Sequence, residues 1–408
     1  MPRIKTFSPS FFIILALYLL AVCLKIYLID YRSDDYNGYV IYWMSYIREH
    51  GMAHAYGTRF SNYAPLYTYL LGIFSLLSPY LSTLYIVKTV TFAGEAVAVY
   101  YVYEMVALHQ RQTQGSTDIS LPPGIAAVSV ILLPTVLANG AWFGQCDIWY
   151  TVCLLAFVFY LSCGGKYKAL IAYGLSFSFK PQAIFLTPLL LFCLLERKIR
   201  WWEIAIIPGV YILTCVPAWL EGRPFMELLF NYWPQLFNWN MHQQAWTASF
   251  MAANIFIYLP DISRGWVAYG GLFLAACAGG SIAWVSHRRR HDENSLLAMI
   301  LLATLFAALM PYLLPRQLGR YFFAADIFSF LLAALRPRWF FIAAMFQYAS
   351  LAATLYNVSL PWIWPHYSGI ARLKTAMWIN AAAIAMLSWL CYQHIWKRNP
   401  LPLANTSE

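Results

Sequence analysis

Carboxylates and cations beside long apolar runs are the side chains of this sequence best suited to chemistry. Ser33-Asp34-Asp35-Tyr36-Asn37-Gly38 places two adjacent acids just after the first apolar run. A carboxylate within reach of an acceptor hydroxyl can take its proton as a new bond forms, so Asp34 and Asp35 are candidate general bases. The same acids fit a loop that simply opens the next helix. Their oxygens also suit a divalent cation, which stays open as a cofactor. Asp147, in Gly144-Gln145-Cys146-Asp147, starts a later apolar run. There a carboxylate either complements a helix N-terminus or orients a sugar hydroxyl.

The cations are as informative. Lys180-Pro181-Gln182 interrupts an apolar run over 169–195. An ammonium at membrane depth is costly without an anion, and snorkelling is the structural alternative. Arg316 and Arg320 flank Gln317-Leu318-Gly319 at the mouth of another apolar stretch. Guanidinium groups suit bidentate phosphate binding, as Arg59 also can. Asp326, six residues beyond Arg320, makes an internal ion pair the alternative. Trp239 and His242, in the Asn- and Gln-rich stretch 231–244, suit either a membrane-interface belt or the faces of a sugar. His242 alone makes no metal site, and no metal-ligand spacing is found.

The elements that must position these groups are membrane helices. The chain has 408 residues, 61% hydrophobic and 11% charged, with mean hydropathy +0.57. A soluble domain carries about 25% charged residues. A soluble enzyme, a disordered chain and a fibrous repeat are thereby excluded. The net charge of +10 reads as Lys and Arg in cytoplasmic loops rather than as nucleic-acid binding. The eight cysteines read as small core residues.

Residues 11–28 read as an uncleaved first span. Downstream, the polar interruptions alternate between two sets. Basic segments occupy 109–111, 166–168, 197–200, 287–290, 336–338 and 397–398. Aromatic, Asn- and Gln-rich segments occupy 30–65, 139–147, 221–261, 311–320 and 357–374. Parity requires that 66–78 lie along the outer interface while 84–108 crosses. It also requires two crossings around Lys180, so the two helices there should be short or should start inside the flanking loops. The expectation is all-α: a polytopic membrane protein of about twelve spans with interfacial helices in the first outer loop and both termini cytoplasmic. Several basic residues, Lys25 and Lys88 among them, nevertheless fall in the outer half, where a cluster facing an anionic ligand is the functional reading.

Taken in order, Asp35-Tyr36-Asn37-Gly38, Asn62-Tyr63-Ala64-Pro65-Leu66-Tyr67, Gly144-Gln145-Cys146-Asp147, Lys180-Pro181-Gln182 and Arg320-Tyr321-Phe322 resemble the GT-C superfamily. More closely they resemble bacterial relatives of the GPI mannosyltransferase II family. The resemblance implies a single membrane glycosyltransferase domain over 1–408, with its catalytic module in about 1–220 and variable helices over about 221–408. It implies an inverting transfer from a polyprenyl-phosphate-linked sugar to a glycan or lipid acceptor, on the periplasmic face of a bacterial inner membrane. By that likeness Asp35, which precedes an aromatic residue, is the base and Asp34 the fallback. Lys180, Arg320, Arg316 and Arg59 would hold the donor phosphate. Asp147, Gln145, Gln182, Tyr321, Tyr63, Asn62, Trp239 and His242 would hold sugar or acceptor. Leu318 and Gly319 stand where relatives often carry His-Glu. A transporter or flippase of a lipid-linked or anionic substrate is the competing class, since buried charge and a broken helix fit one. The absence of an evident internal repeat and the acidic first loop favour an enzyme.

Overall fold

The computed structural model describes residues 9–114, 119–232, 251–259, 265–289, 296–356 and 369–397. Every regular element among them is helical, the form in which an apolar chain satisfies its own backbone in lipid.

Helix α1 spans Pro9–Leu28. The first polar loop then carries α2 (Ile41–His50), α3 (Met52–Tyr56) and α4 (Pro65–Ser75). Pro65 sits in the first turn of α4, where its missing N–H removes no bond. With 11 residues α4 is about 16 Å long, too short to cross a bilayer. Its buried side runs through Thr68, Leu71, Gly72 and Ser75, the spacing of one helix face. Ser82 caps α5 (Thr83–Gln112) by accepting from the Tyr85 amide. Next come α6 (Pro123–Ser129) and α7 (Pro134–Leu137), which Pro134 separates. The segments Pro123–Leu132 and Pro134–Trp142 meet at 49°. Helix α8 covers Asp147–Ser162 and α9 Lys166–Phe179.

At Lys180 the backbone becomes extended, φ −153° and ψ 144°. A 3-10 turn over Pro181–Leu186 then leads into α10 (Thr187–Leu195). The break follows from Pro181, which disfavours helical geometry at the residue before it. The two short helices expected around Lys180 are α9 and α10. Beyond them lie α11 (Ile206–Leu220), α12 (Phe225–Leu229), α13 (Gly265–Arg289), α14 (Leu296–Leu313), α15 (Phe323–Leu335), α16 (Phe340–Thr354) and α17 (Gly369–Cys391).

Helix α14 is the central post, buried on nearly all sides and packed against α15 and α17. Helices α8 and α9 pair closely, and α5 packs on α8. At the margin, α1 buries only Ala21. Among the described residues five helices are long and apolar enough to cross a membrane, or six if the bent 123–142 pair forms one span. The expected count of about twelve is not reached on length and composition. The remaining helices are short, as α8 and α9 are, or carry charge, as α5 does with Lys88, Glu95 and Glu104.

The two loop sets are each tied together. Among the basic segments, Lys166 Nζ lies 2.5 Å from Glu203 Oε1, and His287 Nδ1 lies 2.8 Å from Glu196 Oε1. Arg336 reaches His109 Nε2 at 3.2 Å. In the other set Asn254 donates to the Leu314 carbonyl at 3.0 Å, and Gln145 and Arg320 both reach Asp35. In these contacts basic segments meet the neighbourhood of basic segments, and aromatic segments meet aromatic ones.

Candidate active site

Three aromatic-set segments and the Lys180 break converge on one charged cluster. The first segment is fixed through Ser33. Its hydroxyl donates to the Phe143 carbonyl at 2.8 Å and accepts from the Tyr36 amide at 3.2 Å. Ser33, not an acid, therefore caps the turn that carries Asp34 and Asp35. That turn runs through a π-helical stretch, Tyr36–Val40, into α2. Single π turns of this kind often mark functional sites. The second segment bends at Gly144, whose φ of +65° suits glycine. It follows another π-helical stretch, Ala138–Trp142.

Asp35 Oδ2 accepts from Gln145 Nε2 at 2.8 Å and from the Arg320 guanidinium. Both contacts fall on one oxygen, which leaves Oδ1 open. Arg320 Nε also lies 3.9 Å from Asp147 Oδ2. Asp147 is fully buried at the start of α8 and accepts from Asn139 Nδ2 at 2.9 Å. Its other oxygen accepts from Lys180 Nζ at 2.5 Å. The Lys180 ammonium also lies 5.4 Å from the centroid of the Tyr63 ring, which contacts Trp43 and Tyr67 in turn. Asp35, Arg320, Asp147 and Lys180 thus form a line of alternating charge, half-buried at Asp35 and sealed at Lys180. Burial pushes the Asp35 carboxyl up, but Arg320, Gln145 and Lys180 together hold it below the usual carboxylate range.

The other sequence candidates are placed as follows. Asp34 is exposed beside Asp35. Arg59 lies 3.7 Å from Glu227, and Glu227 in turn pairs with Arg223 at 3.0 Å, so Arg59 is not drawn into the line. Arg316 has φ +60° on the chain that leads to Arg320. Tyr321 is half-buried in the same turn as Arg320, Gln182 is buried just past Lys180, and Asn62 is exposed next to Tyr63. Gln182 Oε1 is buried without a hydrogen-bond partner. Trp239 and His242 lie outside the described residues. Asp326 does not pair with Arg320. It is buried in α15, where Ser350 donates to it at 2.7 Å.

Asn139 joins this cluster through Asp147, and its sequence context alone did not single it out. An amide in an apolar stretch must find a partner, and that requirement was its available signal. Gly319 has a steric reason. A Cβ there would sit 2.7 Å from Ala353 Cβ and 2.8 Å from the Ala353 carbonyl carbon, so no side chain fits before Arg320.

A divalent cation at Asp34 and Asp35 fits poorly. Asp35 already faces a guanidinium and an amide, and a cation there would be placed against Arg320. Among the described residues no three His, Cys, Asp or Glu side chains gather as a metal site.

Comparison with known proteins turns this chemistry into a family. Among curated proteins none matches the sequence. The family model for glycosyltransferase family 87 matches residues 60–315. That stretch contains Asn139, Gln145, Asp147 and Lys180, and Asp35 and Arg320 close on it from either side. The match spans more than half of the chain, which therefore belongs to glycosyltransferase family 87 and is a GT-C glycosyltransferase.

Proposed function

We propose that the protein is an inverting glycosyltransferase that moves a sugar from a polyprenyl-phosphate donor to a hydroxyl of a glycan or lipid acceptor, with Asp35 as the base. The observation that carries this reading is the charge line itself. Asp35 presents a free Oδ1 while Arg320 and Gln145 hold its Oδ2. The acceptor hydroxyl gives its proton to Oδ1 as its oxygen attacks the anomeric carbon. The bond from that carbon to the phosphate oxygen breaks on the opposite face, and its electron pair stays on the phosphate. A single displacement of this kind inverts the anomeric configuration.

Arg320 joins the two events. Once Asp35 is protonated its hold on the guanidinium weakens, just as negative charge grows on the leaving phosphate. Asp147, held by Lys180 and Asn139, keeps the guanidinium in place while its partner changes. Lys180 is committed to Asp147, so its part is to set Arg320, and Arg316 is the second phosphate contact. Gln145 orients the base. Tyr63, Asn62, Tyr321 and Gln182 border the sugar and acceptor.

The alternating loop sets correspond to about twelve crossings if the short and charged helices each span once. Basic loops and both termini are then cytoplasmic, and the charge line faces the periplasm of a bacterial inner membrane. The motif order further likens the chain to bacterial relatives of GPI mannosyltransferase II.

Purified protein in lipid, offered a panel of polyprenyl-phosphate sugars and nucleotide sugars with acceptor glycans, tests the reading. Release of polyprenyl phosphate with a lipid-linked donor is expected. Turnover only with nucleotide sugars, or no turnover together with transbilayer movement of the lipid-linked sugar, would overturn it.

A further inference from the structure

One turn of α5 touches both loops that meet at Asp35. Lys88 and Thr91 are three residues apart, so they share a helix face. Lys88 is fully buried. Its ammonium donates to the carbonyls of Leu28 at 3.4 Å, Ile29, and Tyr31 at 2.8 Å. The carbonyls at the end of α1 lack partners within that helix, and the negative end of its dipole favours a cation. The ammonium therefore pins the chain two residues before Ser33. Three residues on, Thr91 Oγ1 donates to the Gln145 carbonyl at 2.9 Å. Between these bonds Gly144 lies flat on the helix. A Cβ there would stand 3.5 Å from Val87 Cγ1 and 3.6 Å from Lys88 Cγ. The Asp35–Gln145 hydrogen bond bridges the two loops so held.

We propose that Lys88 and Thr91 are positioning residues for the transfer reaction, setting Asp35 against Gln145 from a helix that contributes nothing to the charge line. The proposal rests on the reading of Asp35 as the base. A polar face inside an apolar helix otherwise costs stability. Here each group is spent on a loop backbone, at a distance that decides where a carboxylate oxygen points.

Thr91→Val removes the hydroxyl and keeps the shape, and Thr91→Ser restores the hydroxyl. A base displaced by a fraction of an ångström loses rate more than affinity, so Thr91→Val should lower kcat about 10- to 100-fold. Donor KM should change less than about threefold. Thr91→Ser should recover most of the loss. Lys88→Met should lower kcat in the same way, and should it not fold, the Thr91 pair decides alone. Asp35→Asn is measured beside them with the same lipid-linked donor. Full activity of Asp35→Asn would remove the base assignment and this proposal with it. An inactive Asp35→Asn together with Thr91→Val at wild-type kcat would overturn the positioning role alone. So would equal losses in Thr91→Val and Thr91→Ser, because the hydroxyl would then not be what matters.

Discussion

The buried pair Lys180–Asp147 should be asymmetric when broken. Lys180→Met leaves Asp147 charged and buried, yet Asn139 still donates to it at 2.9 Å and Arg320 stays at 3.9 Å. Asp147→Ala takes away the one carboxylate that hydrogen-bonds the Lys180 ammonium, leaving it the face of Tyr63, 5.4 Å away, and the more distant charge of Asp35. It also strips Asn139 of its acceptor. Removing one partner of a buried ion pair costs about 3–5 kcal/mol. Lys180→Met belongs at the low end, about 3 kcal/mol, and Asp147→Ala at the high end, about 5 kcal/mol. In the double variant neither charge is stranded, so its cost should fall short of the sum by about 2–3 kcal/mol. Equilibrium unfolding of the purified protein in mixed micelles, run on all four proteins, measures each quantity. An additive double variant, or a larger loss for Lys180→Met than for Asp147→Ala, would show that the two charges are not coupled in this way.

Three further outcomes follow from the same geometry. Asp35 is held below the usual carboxylate range, so it stays ionised, and the stability it contributes is lost only as pH falls through that lowered value. Arg320→Gln removes the main opposing charge, so the acid limb of kcat/KM should move to higher pH in a pH–rate profile. Gly319→Ala drives a methyl into the backbone of α16 and should cost about 1–3 kcal/mol in unfolding, with a loss of transfer because Arg320 is the next residue. Arg59→Gln removes an exposed contact to Glu227, so unfolding should change by less than about 0.5 kcal/mol and transfer rates by less than about twofold.

What the sequence disclosed depended on whether the signal was local. Pro181 marks the break at Lys180, and Pro65 and Pro134 mark helix starts, because proline acts on its own backbone. The clustering of Asp35, Gln145 and Arg320 was approached through loop alternation, which puts like loops at one end of a bundle. Pairing was less accessible. Lys180 reads as a phosphate ligand until Asp147, 33 residues away, is seen against it at 2.5 Å. Arg59 looks equally free in sequence, and Glu227 claims it only in three dimensions. Lys88 reads as one of the outer-half cations and Thr91 stands out in no way, since their partners are backbone carbonyls that no residue type announces. The two π-helical stretches beside the site likewise have no sequence signature that periodicity can find.

In the proposed reaction Asp35 takes the acceptor's proton during transfer from a lipid-linked donor. Single-turnover transfer from a radiolabelled polyprenyl-phosphate sugar, by wild type and Asp35→Asn at equal donor occupancy, tests it directly. Asp35→Asn should fold and bind donor but transfer about 10²- to 10⁴-fold more slowly. Transfer by Asp35→Asn at the wild-type rate would contradict it.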